Sequence, residues 1–189
     1  SEEKKASLAR WKSKVGEKEA ERVKNEAASR GTAMHKFLEY YVQNQKLLDL
    51  TDEGREASSM GQAIIDNSFK EIEEVWGSEV TLFYPGLYAG QTDLCGIYSG
   101  RESIIDFKQT NKPKRREWIE DYFLQLAAYA MAHDVIYNTC VDQGVILMCS
   151  KDGFFQKFTS NGGEFTRFKH KFLGKIDQFY QKKGSKSTF

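Results

Sequence analysis

Apolar positions recur at helical spacing through the first part of the chain and then switch to alternation. In the charged, alanine-rich opening of residues 1–30, Leu8, Trp11 and Val15 mark a narrow stripe, so the stretch reads as two helices broken near Gly16. In GTAMHKFLEYYV, Thr32 reads as an N-cap, and Ala33, Phe37, Leu38, Tyr41 and Val42 form the apolar face of a helix over 32–45. A further helix is predicted over about 53–76, closing with AIIDNSFKEIEEVW. From residue 79 the β-branched and aromatic positions, punctuated by Pro-Gly and Ser-Gly, predict a meander of three strands over 79–109. REWIEDYFLQLAAYAMAHDVIY then reads as a long helix, apolar nearly all round and buried on more than one side. GVILMCS and GFFQKFTS read as two strands with Lys-Asp-Gly between them, and a last helix covers about Gly163 to Lys182 before a frayed basic tail.

That order predicts an α/β (α+β) fold: a mixed central sheet flanked by helices, with an N-terminal helical region. At 189 residues the chain suits one domain, 1–189, with 1–30 as a helical lead-in and 31–182 as the core. No apolar run approaches the roughly 18 residues that span a bilayer, and no targeting segment is visible, although the chain opens on Ser1. Cys95, Cys140 and Cys149 are odd in number and form no CxxC, which argues against a disulfide framework or a zinc site and for a reducing, intracellular compartment.

Charge changes the picture locally. The formal net charge is +1, yet Lys108, Lys112, Lys114, Arg115 and Arg116 follow one another with no acid between them. Such a loop in a near-neutral protein points to a localised anion site, beside the common alternative of a solvated loop.

SIIDFKQT sets Asp106 and Lys108 inside an apolar run, where a buried charge needs a partner or a metal. A two-residue turn at Ser99-Gly100 makes paired residue numbers sum to 199, which sets Asp93 opposite Asp106, with Lys108 two residues on and facing the same way. Two facing carboxylates repel unless something cationic lies between them. Oxygen ligands with a lysine alongside suit Mg²⁺ or Mn²⁺ near a phosphate. Glu79 is left open: a three-residue loop at Pro85–Leu87 brings it opposite Asp93, and a two-residue loop turns it away. His35 and Glu39 share one side of their helix, with Gly31 one turn earlier allowing close backbone approach. Gln125 and Tyr129 repeat that spacing as a polar pair in an apolar helix. Gln125 is then either a buried amide satisfied by backbone or a hydrogen-bonding partner of substrate.

GTAMHKFLE, YAGQTDLCG, IIDFKQT and QLAAY resemble, in order, the motifs of the PD-(D/E)XK nucleases. Within that superfamily the likeness is to the RecB-type branch and its subgroup of mitochondrial genome maintenance exonucleases and related phage exonucleases. It runs from about Leu8 to Ala132. The resemblance implies a restriction-endonuclease-like sheet and a metal held by His35, Asp93, Asp106 and the backbone carbonyl of Phe107. It makes Lys108 the catalytic lysine, supported by Gln125 and Tyr129, and carries Glu39 and Glu79 over as further acids of the site. Iron–sulfur relatives use four cysteines, so no cluster is expected here.

The function expected from this resemblance is a Mg²⁺- or Mn²⁺-dependent DNA exonuclease acting on single-stranded ends in replication, repair or recombination. Its compartment would be a bacterial cytoplasm if phage-encoded, or the mitochondrial matrix. Lys12, Lys14, Arg22, Lys24 and Arg30 would line a passage for the strand, Lys112, Lys114, Arg115 and Arg116 would hold phosphates, and Trp11 or Tyr88 would stack on bases. The alternatives are a duplex-end resecting exonuclease or structure-specific endonuclease of the same fold and, further off, a noncatalytic nucleic-acid-binding module. No protein partner is indicated.

Overall fold

In a computed structural model that describes residues 2–184, the chain begins with α1 (Glu2–Val15), α2 (Glu17–Val42) and α3 (Asp52–Ser68). β1 (Ile72–Tyr84), β2 (Tyr88–Tyr98) and β3 (Arg101–Thr110) follow, then α4 (Glu120–Tyr137), β4 (Gln143–Ser150), β5 (Phe155–Asn161) and α5 (Gly162–Gly184). Short 3-10 turns lie at Phe69–Glu71 and Arg116–Trp118. The basic tail expected after the last helix falls outside the described residues.

Three helical boundaries differ from the sequence expectation; one is the start of α4, which lies at Glu120, after the 3-10 turn at Arg116–Trp118, rather than at Arg116. Gly16, at φ +86°, separates α1 from α2 as expected, but α2 then runs unbroken through residue 32. Thr32 therefore caps nothing; its hydroxyl sits mid-helix and donates to the Ala28 carbonyl at 3.1 Å. The helix tolerates Gly31 because a Cβ there would stand only 3.3 Å from Gln109 Cγ, so the bare backbone is what lets β3 approach. Further on, α3 ends at Ser68 rather than near 76, and Ile72–Trp76 is strand. Ile72, Val75 and Trp76 have helical spacing, because slips in the strand break its alternation. Pairing with β2 decides, together with Ser99 donating its backbone N–H to the Glu71 carbonyl at 2.9 Å.

The five strands lie in sequence order, β1-β2-β3-β4-β5, antiparallel except for the β3–β4 pair. β4 is buried at every residue, as its continuous apolar run requires for a strand covered on both faces. One face packs on α2 and α3 through Met34, Leu38, Met60, Ile64, Ile105 and Phe107. The other packs on α4 and α5 through Ile104, Phe123, Leu126, Ile146, Met148 and Phe165. Each fully buried side chain of this size contributes about 1.5–3 kcal/mol.

Turn chemistry sets the register. Ser99 and Gly100, at φ +49° and +75°, form the two-residue turn, with Tyr98 opposite Arg101. The loop at Pro85–Leu87 has three residues, closing on Tyr84 opposite Tyr88.

Candidate active site

β2 and β3 part where the chemistry gathers. Their ladder runs from the turn to Leu94 opposite Ile105 and stops there, one position short of Asp93 and Asp106. In place of the next ladder bond, the Asp93 carboxylate accepts the Phe107 backbone N–H at 2.7 Å. An extended residue directs its N–H and C=O to the same edge of the strand, so the Phe107 carbonyl opens on the same gap.

β2 also changes face at this level. A Cβ on Gly90 would run into the Tyr129 ring of α4, and Cys95 packs in the α4-side core. Five residues separate them, and strict alternation would put them on opposite faces. Opposite Asp93, between Ser78–Leu94 and Val80–Thr92, stands Glu79 at φ +52°. A non-glycine residue in the left-handed region costs about 1–2 kcal/mol. Gln91 Nε2 steadies it by donating to the Glu79 carbonyl at 3.0 Å. The longer loop thus brings Glu79 to Asp93, which the sequence left undecided.

His35 comes to the same place from α2, its Nδ1 3.1 Å from Asp93 Oδ1. One ligand atom each from His35, Glu79 and Asp93 lies within 4.8 Å of the others. Among the described residues this is the one group of three His, Cys, Asp or Glu ligand atoms so close together, and Asp106 stands outside it. Asp106 is 4% exposed; its Oδ2 is 2.5 Å from Lys108 Nζ but makes no hydrogen bond of regular geometry. Lys108 in turn lies 5.2 Å from the centre of the Tyr122 ring on α4. Sequence reading missed Tyr122, although its spacing of three to Gln125 and seven to Tyr129 puts all three on one face of α4.

The titration of these groups follows from their enclosure. Burial pushes the Asp106 carboxyl up, and the neighbouring Lys108 restrains the rise. Burial raises Glu79 as well, and the charges of Asp93 and Glu39 add to it. For His35 burial works downward, but the bonded Asp93 carboxylate outweighs it and the imidazole holds its proton more tightly than usual. Burial likewise opposes the Lys108 charge, and Asp106 more than restores it. Asp106 and Glu79 thus both resist ionisation. A buried carboxylate paired with one lysine, beside three closely set N and O donors, fits a hard divalent cation.

The remaining expected residues fall at varied distances from this centre. Gln125 Nε2 donates to Tyr129 Oη at 2.9 Å. Glu39 accepts from Gln43 Nε2 at 3.2 Å. Tyr88 Oη donates to the Ala128 carbonyl at 2.9 Å, and its ring is flanked by Tyr84 and Phe172. Trp11 is half-buried on α1, where Lys12 and Lys14 are exposed. In the basic loop Lys112 is exposed, and the Lys114 backbone is held by the Gln156 amide at 2.7 and 2.8 Å. Arg115 lies over Trp118, and Arg116 donates to Glu164 at 2.7 Å. Arg22 pairs with Glu19 and Glu26, and Lys24 with Glu21, all on the exposed face of α2. Arg30 does not line a passage: it is 3% exposed and bonded within the fold. A groove of about 470 Å³ between α2 and the 47–58 segment contains none of the His35, Glu79 and Asp93 group.

No protein-family model matches the chain. It is 30% identical over 156 residues to mitochondrial genome maintenance exonuclease 1 of Homo sapiens, covering 77% of this chain and 44% of that protein. The Mus musculus protein of the same name matches at 30% over 156 residues (77% and 45%), and that of Xenopus tropicalis at 31% over 125 residues (61% and 35%). The chain thus spans less than half the length of the curated relatives it matches. Among solved structures, a Eubacterium rectale protein named as a candidate exonuclease superposes with a TM-score of 0.56 at 8% identity, over 81% of this chain and 65% of that one. That likeness is one of fold.

Proposed function

Homology with the mitochondrial genome maintenance exonucleases supports a PD-(D/E)XK exonuclease family for this chain, and from that premise we propose that it is a metal-dependent DNA exonuclease acting on free single-stranded ends. One observation carries the reading: His35, Glu79 and Asp93 meet at a gap in the sheet whose other side bears the Asp106–Lys108 pair. A structural salt bridge has no use for three more ligand atoms beside it.

The His35 imidazole and the Glu79 and Asp93 carboxylates would hold Mg²⁺ or Mn²⁺, with Asp106 and the Phe107 carbonyl as further oxygen donors. Bound there, the ion supplies an acidified water and neutralises charge on the scissile phosphate. Lys108 keeps its ammonium, because Asp106 raises its proton affinity, and presents a positive charge to the oxygens of the phosphate. Tyr122, 5.2 Å from that ammonium, restricts where it can swing. Gln125 and Tyr129, bonded to each other, present donors and acceptors from the α4 side. Lys112 and Lys114 would take the backbone of the strand beyond the cut, where phosphate contacts position without reading sequence. The work of such an enzyme is the trimming of DNA ends during replication, repair or recombination, in the mitochondrial matrix or a bacterial cytoplasm.

Digestion of linear and circular single-stranded DNA, with Mg²⁺, Mn²⁺ or EDTA, tests the proposal. Linear DNA is expected to be degraded only with metal, and circles to survive. Lys108→Met should lower the rate at least about 100-fold in a protein that still binds Mn²⁺. Circles cut as fast as linear strands would mean an endonuclease, and an inert wild-type protein that binds DNA would mean a binding module.

A further inference from the structure

Arg30 is a charged side chain buried to 3% exposure, far from solvent for a residue that ordinarily keeps its head in water. Its Nε donates to Gln109 Oε1 at 3.1 Å, its Nη2 to Asn111 Oδ1, and its Nη1 lies 3.5 Å from Glu56 Oε2. Gln109 returns a bond to the same helix, its Nε2 donating to the Ala27 carbonyl at 2.8 Å. Beside them Gly31 leaves room for Gln109, whose Cγ would stand 3.3 Å from a Cβ placed on that glycine. The guanidinium fork therefore joins three elements: α2 that carries it, α3 through Glu56, and the end of β3 through Gln109, with Asn111 just beyond the strand. Two of these elements bear the site. His35 is five residues beyond Arg30 on α2, and Asp106 and Lys108 immediately precede Gln109 on β3.

A buried cation with one partly exposed carboxylate is a costly way to hold two elements together; apolar residues of similar volume often serve stability as well or better. What a planar five-donor fork adds is a fixed orientation. We infer that Arg30 is a positioning residue that sets α2 against β3 so that His35 meets Asp93, and hence sets the affinity of the site for its metal. The inference rests on the reading of His35 as a ligand. It gives Arg30 no contact with substrate.

The test is Mn²⁺ binding in the absence of DNA, by calorimetry and by electron paramagnetic resonance of the bound ion, on Arg30→Met, Arg30→Lys and Gln109→Leu. Phe165→Leu, in the opposite layer, serves as a control for lost stability. Arg30→Met and Gln109→Leu are each expected to raise the Mn²⁺ Kd about 10–100-fold, the range for loss of a group that orients a ligand. The double variant should be little worse than either, since both break one link. Arg30→Lys should recover part of the affinity, because one bond to Gln109 or Asn111 survives. The DNA KM, measured at saturating Mn²⁺, should stay at the wild-type value. A folded Arg30→Met protein with wild-type Mn²⁺ affinity overturns the inference, as does equal weakening in Phe165→Leu at equal loss of Tm. If Arg30→Met does not fold, Gln109→Leu decides by the same criterion. Wild-type protein that binds no Mn²⁺ overturns the metal reading itself, a distinct result.

Discussion

Asp93 does two jobs with one carboxylate: Oδ2 replaces a missing rung of the sheet by accepting the Phe107 N–H, and Oδ1 meets His35. The His35 contact makes the site sensitive to pH in a direction that can be worked out. The folded-state pKa of His35 is raised above the ordinary imidazole value of about 6.5. In the metal-free protein the His35–Asp93 pair therefore stabilises fully at pH below the unfolded value, and that contribution is lost as pH rises through the folded one. The same proton competes with a metal, which needs neutral imidazole. Mn²⁺ affinity is accordingly expected to begin falling above pH 6.5 on acidification, measured calorimetrically at pH 8, 7 and 6. His35→Gln should weaken binding at pH 8 and flatten the decline. Any slope that remains belongs to Glu79 and Asp106, both raised by burial.

The element with the most irregular geometry is β1. Its pairing with β2 slips between Ile72 and Glu74 and again between Val75 and Gly77, so β1 carries an extra residue at each slip. Gly96 makes the second slip possible: a Cβ there would lie 2.0 Å from the Glu74 carbonyl oxygen, a backbone atom that cannot swing aside. Gly96→Ala is expected to cost about 2–3 kcal/mol, read as a fall in Tm of roughly 4–12 °C. By contrast Gly100→Ala, which meets nothing within 4 Å, should cost only the strain of its positive φ. The irregular start of β1 also explains the misplaced end of α3. Ile72, Val75 and Trp76 fall at i, i+3 and i+4, and the two slips of β1 break the alternation that would have marked a strand, so the local pattern read as helix past Ser68. Hairpin register was legible for the opposite reason. Ser-Gly at 99–100 admits a tight two-residue turn, and one turn fixes every pair up to Leu94–Ile105.

At the scale of the molecule, two helical layers are joined through one sheet, and Glu71 ties its start to its far edge. The Glu71 carboxylate accepts from Ser99 Oγ at 2.9 Å and from Lys157 of β5 at 2.7 and 2.8 Å. Partial burial works to raise its pKa, but Lys157 and Ser99 together hold it below the ordinary glutamate value. A depressed carboxylate stabilises the fold above its unfolded pKa, and that stability is lost as pH falls through the folded one. Glu71→Gln is therefore expected to lower stability by about 0.5–1 kcal/mol at pH 7, in urea or thermal melts, and by nearly nothing at pH 3. No helix among the described residues is long and apolar enough to cross a membrane.

By itself the sequence determined the mixed architecture, the hairpin register from Tyr98–Arg101 as far as Leu94–Ile105, and the placement of Lys108 beside Asp106. Each depends on alternation or turn chemistry, which act over a few residues. Only the tertiary structure decided that Glu79 joins His35 and Asp93, because that choice turned on one residue of loop length at Pro85–Leu87 and on a left-handed backbone at Glu79 that no local pattern marks. It decided the burial of Arg30 too. On the helix surface Arg30 is one cation among several, and its burial exists only because Gln109 and Asn111, about eighty residues away in the chain, arrive to receive it. Contacts of that range are set by which of several equally periodic faces the whole fold packs inward.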